Sequence, residues 1–274
     1  MPVGLRHVFC HTAWLIMIER DAKLLANLSS RHFRKKNGLC LAEGLRCCEE
    51  ALMRRPGDVR ALFCTESFMA SQNWPRLKEA LGNTRLSTLT DREFASLSET
   101  ETPQGVLAVM MIPEYTPPKT AGNPFTLILD RVADPGNMGT ILRTAWAVGL
   151  DSCWLVKGSA DPFSPKSIRA GMGAQFALGI HLFDSLEEAV AAAKGFGVEN
   201  VWCTLPSEGI SIFDDGFQCH GSALIIGNEA NGISNPKLGR AVTIPMPGNA
   251  ESLNAAQAAT VFLVESLRET VAQR

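Results

Sequence analysis

The 274-residue sequence has no apolar run of the roughly 18 to 20 residues that a membrane-spanning helix requires. Its longest N-terminal candidate, Thr12 to Ile18, is interrupted at once by Glu19 and Arg20, so neither a transmembrane segment nor a secretory signal is expected. Eight cysteines include no C-x-x-C pair and no Cys/His spacing suited to zinc. With Cys47 and Cys48 adjacent and most others in apolar surroundings, they predict reduced, mostly buried thiols in a cytoplasmic protein, and no metal. A dinucleotide fingerprint is missing too: Gly171-Met172-Gly173-Ala174-Gln175-Phe176 starts like one but lacks the third glycine and does not directly follow a buried strand. The histidines (His7, His11, His32, His181, His220) are scattered and no serine has a base–nucleophile motif around it, which argues against hydrolase chemistry. No repeat or low-complexity tract is present.

Excess positive charge is lacking overall, since the formal net charge is −2. Its distribution is uneven: residues 1–60 carry 11 Lys/Arg against 6 Asp/Glu, residues 61–120 carry 5 against 7, and residues 121–274 carry 10 against 15. The basic charge therefore gathers at the front, where a phosphate backbone could be held.

What is present is enough for two cores: 46% hydrophobic and 20% charged residues are ordinary for a globular chain of this length. Four prolines between Pro113 and Pro124 exclude a continuous helix or central strand and mark a linker. Ahead of it, helical patterns (Ala22 to Leu28, Gly44 to Met53, Trp74 to Leu81) alternate with short apolar strands (Leu39 to Ala42, Val59 to Cys64, Val106 to Ile112), predicting a small α/β unit. Behind it, strands Thr126 to Asp130, Cys153 to Val156, Ile180 to Phe183, Val201 to Thr204, Ala223 to Ile226 and Ala241 to Ile244 alternate with helices Met138 to Val148 and Leu186 to Lys194, a short helix, and a long one from Leu253 to about Val271. Continuous apolar strands of this kind predict a parallel sheet covered on both faces, with ligands at the carboxyl ends of its strands.

Three segments at such ends carry candidate chemistry. In Asp134-Pro135-Gly136-Asn137, the first three residues force a turn and Asn137 is a suitable helix N-cap; Arg143 follows on the face of Gly139, where no side chain blocks a long guanidinium, leaning back toward Asn137. A solvated surface arginine satisfies the same pattern. In Ile226-Gly227-Asn228-Glu229-Ala230-Asn231-Gly232, a buried strand runs into glycine, which allows close approach of a ligand to the backbone, and Glu229 stands at the strand end; an ordinary strand exit reads equally well. In Ile244-Pro245-Met246-Pro247-Gly248, continuing to Ser252-Leu253-Asn254, irregular backbone leaves amides and carbonyls free for a ligand's polar edge. Asn254 with Gln257 three residues on also suits a helix cap. The alanines from Ala255 to Ala259 permit close packing on the chain's own sheet or on a second subunit.

Together and in this order, these three segments resemble the motifs of the SpoU (TrmH) family of RNA 2′-O-ribose methyltransferases, over residues 124–274. The resemblance implies a SPOUT α/β domain with a deep trefoil knot, formed by roughly Trp202 to Leu205, Ala223 to Gly232 and Thr243 to Asn254, an exception to the rule that chains stay unknotted. It implies a homodimer and S-adenosylmethionine as cofactor, bound in a bent form mainly through backbone groups, with Gly227, Ile244 and Leu253 as main contacts and Leu205, Met246 and Asn254 nearby. Arg143 is then the activator of the ribose hydroxyl, either as a base or as a cation that fixes phosphate and polarises the hydroxyl, because arginine ordinarily stays protonated. Asn137 would hold Arg143 or the nucleotide, Glu229 would orient that network, and Ser252 with Asn254 would line the catalytic pocket.

The front residues, 17–112, resemble the L30e-like substrate-binding domain of the same proteins. Its markers are Arg31 to Gly44 and Thr102 to Val109, with Arg31, Arg34, Lys35 and Lys36 as candidate RNA contacts. Such a domain implies structured ribosomal RNA, of the large subunit, as the partner; a tRNA methyltransferase of the same family and a non-catalytic RNA-binding assembly factor are the competing readings. Residues 1–16 lie outside the resemblance and Met17-Ile18-Glu19-Arg20 looks like a family start, implying an upstream extension or an overextended gene model.

Overall fold

A computed structural model describes residues 23–271, so the expectations for residues 1–16 and for Met17 to Arg20 lie outside the described residues. The chain divides between Ile112 and Pro113 into two compact units.

The first unit contains α1 (Arg31–Asn37), β1 (Leu39–Glu43), α2 (Leu45–Arg54), β2 (Val59–Thr65), α3 (Glu66–Met69), α4 (Trp74–Leu81), β3 (Leu86–Leu89), α5 (Asp91–Leu97) and β4 (Val106–Met111). The strands form a mixed sheet in the order β1-β4-β2-β3: β4 is antiparallel to both neighbours, and β2 and β3 are parallel. Leu41, Phe63, Leu107 and Phe94 pack in one core. Helix α5 was not expected from hydrophobic spacing. It starts at a capping box in which Thr90 accepts from the Glu93 N–H and the Glu93 carboxylate accepts from the Thr90 N–H, satisfying two otherwise orphan donors.

Several residues that marked this unit in the sequence turn out to hold its architecture. Gln104 Oε1 accepts the Leu45 N–H at 2.9 Å and so caps α2, while the Gly105 carbonyl takes the Thr65 N–H at 2.8 Å. A Cβ on Gly105, whose φ is +76°, would lie 2.6 Å from Thr65 Oγ1. Arg34 corrects the expectation of a surface cation. It is buried, and its guanidinium donates to the Leu28 carbonyl at 2.9 Å and the Ser29 carbonyl at 2.6 Å, closing the turn before α1. Arg31, Lys35 and Lys36 are exposed. Arg34→Ala is therefore expected to lower unfolding free energy by about 2 to 3 kcal/mol, because buried carbonyls lose charged donors. Lys35→Gln and Lys36→Gln should each change it by less than about 0.5 kcal/mol. Urea denaturation of the three variants separates the two roles.

The second unit contains β5 (Thr126–Leu129), α6 (Pro135–Ala147), β6 (Ser152–Val156), α7 (Pro165–Gly171), β7 (Gly179–Phe183), α8 (Leu186–Gly195), β8 (Val201–Thr204), β9 (Ile210–Ser211), β10 (Ala223–Ile226), β11 (Arg240–Thr243) and α9 (Ala255–Val271). All seven strands are parallel, in the order β7-β6-β5-β10-β8-β11-β9. Every residue of β5, β6 and β10 is buried, as expected for strands covered on both faces. Ile128, Trp154 and Ile225 pack with Leu186, Ala189 and Val190 of α8. Alternation turns Leu127 and Leu129 to the other face. From β5 the chain proceeds to β6 and β7 on one side, then crosses to β8 and β9 on the other and returns to insert β10 between β5 and β8, so the order reverses between β5 and β10. A crevice opens at such a reversal, beyond the carboxyl ends of the strands.

The proline-rich segment expected as a linker is tied to this second unit. The Thr116 carbonyl is bonded to His181 Nδ1 at 2.7 Å, the Asn123 N–H donates to Asp151 Oδ1 at 3.1 Å, and Ala121 packs against the core. The described cysteines Cys40, Cys47, Cys48, Cys64, Cys153, Cys203 and Cys219 are buried free thiols. Burial pushes Cys64 up to about 12 and Cys203 up to about 11, so neither is a thiolate at neutral pH. Among the described residues, no helix is long and apolar enough to cross a membrane, and no cluster of His, Cys, Asp and Glu could hold a metal ion.

Candidate active site

Helix α6 begins three residues earlier than the hydrophobic pattern indicated. Its cap is Asp134, whose Oδ1 accepts the Asn137 N–H at 2.9 Å, with Pro135 at the first helical position, where a missing N–H costs nothing. This corrects the expectation that Asn137 caps the helix, and it frees the Asn137 side chain for other partners. Lys166 Nζ lies 2.9 Å from Asp134 Oδ2; this ammonium and the Asn137 N–H hold the Asp134 carboxyl below its ordinary range.

Asn137 uses that freedom at the reversal between β5 and β10. Its Nδ2 donates to Glu229 Oε1 at 2.8 Å, and its Oδ1 accepts from Asn254 Nδ2 at 3.1 Å. Glu229 also accepts the backbone N–H groups of Ala133 (2.9 Å) and Asp134 (3.2 Å). Asn254 completes the chain by capping α9 through Oδ1, which takes the Ala256 N–H at 2.9 Å. One carboxylate and two amides thus join the ends of β5 and β10 to the start of the last helix. Partial burial alone would raise the Glu229 carboxyl, but the donors from Ala133, Asn137 and Asp134 outweigh it and leave it lowered. The contribution of these bonds to stability is therefore fully present above the ordinary glutamate value and is lost as pH falls through the lowered one. The melting-temperature gap between the wild type and Glu229→Gln should accordingly be largest near neutrality and close under acid conditions; a gap independent of pH contradicts this reading.

Beside the chain lies a cleft of about 460 Å³. Its walls come from the ends of β8 (Thr204, Leu205, Pro206), β10 (Ile226 to Ala230, with Gly232) and β11 (Ile244, Met246), then from Ser252, Leu253 and Asn254 and the first turns of α9 (Ala255, Ala258, Phe262). The structure therefore brings together Gly227, Ile244, Leu253, Leu205, Met246, Asn254, Ser252 and Glu229. Gly227 abuts the returning loop so tightly that a Cβ would lie 2.5 Å from the Gly232 carbonyl carbon. Asn228 shapes that loop: its Oδ1 accepts from the N–H groups of Ala230 and Asn231, its Nδ2 donates to the Arg131 carbonyl at 2.7 Å, and its backbone pairs with Gly232. The alanines of α9 are spent within this unit, Ala256 and Ala259 being buried and Ala255 and Ala258 facing the cleft.

Arg143 is not among the cleft residues. It is exposed on α6 and makes no hydrogen bond or ion pair among the described residues. The expectation that Gly139 opens space for it is corrected: Gly139 is buried against α7, where a Cβ would lie 2.3 Å from the Ser167 carbonyl oxygen. The capping role of Asp134, the two backbone donors to Glu229, and the part Asn228 plays in shaping the loop were not read from the sequence. An Asp-Pro pair at a helix start was the available signal for the first; the others depend on a fold that brings residues almost a hundred positions apart together.

A covered parallel sheet with a cleft at the carboxyl ends of β8, β10 and β11, beside a carboxylate–amide relay, is the architecture of α/β domains whose ligand sites lie at the carboxyl ends of strands. Residues 124–264 match the SpoU rRNA Methylase family, and residues 20–108 match the MRM3-like substrate binding domain. The chain belongs to the SpoU rRNA methylase family. It is 34% identical over 239 residues to the 23S rRNA (guanosine(2553)-2′-O)-methyltransferase RlmP of Bacillus subtilis (strain 168), covering 86% of this chain and 91% of that protein. To the Homo sapiens rRNA methyltransferase 3, mitochondrial, it is 28% identical over 311 residues, covering 91% and 72%. The crystal structure of the SpoU methyltransferase AviRb from Streptomyces viridochromogenes in complex with the cofactor AdoMet is similar at a TM-score of 0.78, with 29% identity over 92% of this chain and 99% of that one.

Proposed function

We propose that the protein is an S-adenosylmethionine-dependent methyltransferase that modifies a ribose 2′-hydroxyl of large-subunit ribosomal RNA. The observation that carries this reading is the Glu229–Asn137–Asn254 chain, which links the helix bearing Arg143 to the wall of the cleft. The cleft suits the cofactor in its volume and in its walls, because Gly227 admits a ligand to the backbone and Pro245 and Pro247 hold irregular chain around Met246. Gly227, Ile244 and Leu253 would hold S-adenosylmethionine, with Leu205, Met246 and Asn254 beside them. When bound, it supplies an electrophilic methyl group on a sulfonium centre.

The chain's own residues must activate a poor nucleophile, the ribose hydroxyl. Arg143 meets the hydroxyl or its phosphate as a cation, through a planar fork of donors that matches paired oxygens. Asn137 is held by Glu229 on one side and Asn254 on the other, so it can present a fixed amide edge to the nucleotide. Ser252, exposed at the cleft and without a hydrogen-bond partner among the described residues, is available to the nucleotide's polar groups. Pairing of this domain with the MRM3-like substrate binding domain supports ribosomal RNA over tRNA, and the assembled polar network favours an enzyme over a decayed binding factor. Exposed Arg31, Lys35 and Lys36 would contact RNA phosphates.

The trefoil knot, a homodimer and a cytoplasmic location belong to the same reading. The late insertion of β10 between β5 and β8 is consistent with the knot, exposed Val264 on α9 with a dimer face, and the free thiols with a reducing compartment. Isothermal titration with S-adenosylmethionine tests the cofactor directly. Saturable one-to-one binding, weakened at least tenfold by Leu253→Asp, is expected; no binding contradicts the reading.

A further inference from the structure

Immediately before the loop that Glu229 holds, Arg131 adopts a left-handed backbone with φ of +56°, a conformation costly for a non-glycine residue. The turn aims its carbonyl at Asn228 Nδ2, and its side chain is set with equal care. Gly158, at φ +102°, leaves a space in which a Cβ would lie 3.2 Å from Arg131 Cγ and 3.4 Å from Cδ. Arg131 Nε lies 3.3 Å from Oδ1 of Asp130, a carboxylate with no exposed surface whose other oxygen takes the Ser234 N–H at 2.5 Å. The Arg131 side chain is nevertheless 42% exposed, and its two terminal nitrogens have no partner among the described residues. An arginine serving only to neutralise a buried carboxylate would meet it with its terminal fork. Here only the inner nitrogen lies near the carboxylate, without a hydrogen bond between them, while the side chain as a whole stays 42% exposed.

We propose that Arg131 is a phosphate-binding residue for the RNA strand, its stem seated against Gly158 and its guanidinium beside the Asp130 charge, next to the loop from Ala133 to Asn137. The inference rests on the proposed action on RNA and adds a second cation to Arg143. A forked, fixed guanidinium suits the paired oxygens of a phosphodiester better than a mobile ammonium does.

The test is binding of in vitro transcribed large-subunit ribosomal RNA across a series of salt concentrations, with S-adenosylmethionine affinity measured in parallel. Arg131→Gln should weaken RNA binding about tenfold and lower the slope of log affinity against log salt by about one, leaving cofactor affinity unchanged. Arg131→Lys, which keeps a charge opposite Asp130 and carries the test if the glutamine variant does not fold, should keep the slope yet bind RNA more weakly than the wild type. Wild-type RNA affinity in either folded variant overturns the proposal and leaves the arginine as a partner for Asp130 alone. Failure of the wild type itself to bind this RNA would instead overturn the ribosomal RNA reading.

Discussion

Arg143→Ala is expected to lower kcat for methyl transfer by about 10² to 10³-fold while leaving S-adenosylmethionine affinity and melting temperature close to those of the wild type. The separation follows from where the side chain stands. Arg143 is exposed, touches no cleft residue by hydrogen bond or ion pair, and lies on a helix whose buried face is supplied by Met138, Ile141, Leu142 and Ala145. Its removal therefore leaves neither a cavity nor an unsatisfied buried group, and surface changes of this kind alter stability by about 0.5 kcal/mol or less. What would be lost under the proposed function is an electrostatic contact to the reacting nucleotide, and single donors of this sort are worth about 10² to 10³ in turnover. Arg143→Lys keeps the charge but not the fork, so it should recover part of the loss. Single-turnover kinetics with saturating cofactor provides the measurement; undiminished activity in Arg143→Ala removes the residue from the mechanism.

Gly227→Ala should have the larger effect on cofactor binding, with S-adenosylmethionine affinity reduced at least about 100-fold. The cause is steric and local. The added methyl would fall 2.5 Å from the Gly232 carbonyl carbon, 2.6 Å from the Ile233 nitrogen and 2.8 Å from the Gly232 oxygen, all backbone atoms. Backbone cannot rotate away as a side-chain tip can, so the loop held by the Asn228–Gly232 pairing must open. Overpacking of this type costs about 1 to 3 kcal/mol in stability, and here it also displaces both the cleft wall and Glu229. Gly139→Ala makes a control of the same size: its clash is with α7, so melting temperature should fall with much less effect on cofactor affinity. Equal cofactor affinity in the wild type and Gly227→Ala would contradict the placement of the cofactor against this strand end.

The parallel sheet was legible because its strands are short, unbroken apolar runs between glycines and prolines: Val201–Thr204 and Ala223–Ile226 appear in the structure with the limits read from the sequence. Capping was legible where a rule was local, as at Asn254, and misread where two candidates competed, as at Asp134 and Asn137. Proline at the first helical position decides that competition in favour of Asp134. Arg34 was misread because a basic run on a short helix looks alike whether its arginine faces water or folds back on carbonyls, and only tertiary structure separates the two. The relay itself was beyond reach: Asn137 and Asn254 are 117 positions apart, and no propensity or periodicity pairs them. Their proximity comes from the reversal in strand order between β5 and β10, a property of the whole sheet.

The most direct test of the central claim is transfer of a labelled methyl group from S-adenosylmethionine to large-subunit ribosomal RNA by the purified protein, followed by digestion to nucleosides and mass spectrometry. Label is expected in a 2′-O-methylnucleoside at one position of that RNA, forming about 10² to 10³-fold more slowly when Arg143→Ala replaces the wild type. Label on a base, or no transfer to ribosomal RNA by a protein that binds S-adenosylmethionine, would contradict it.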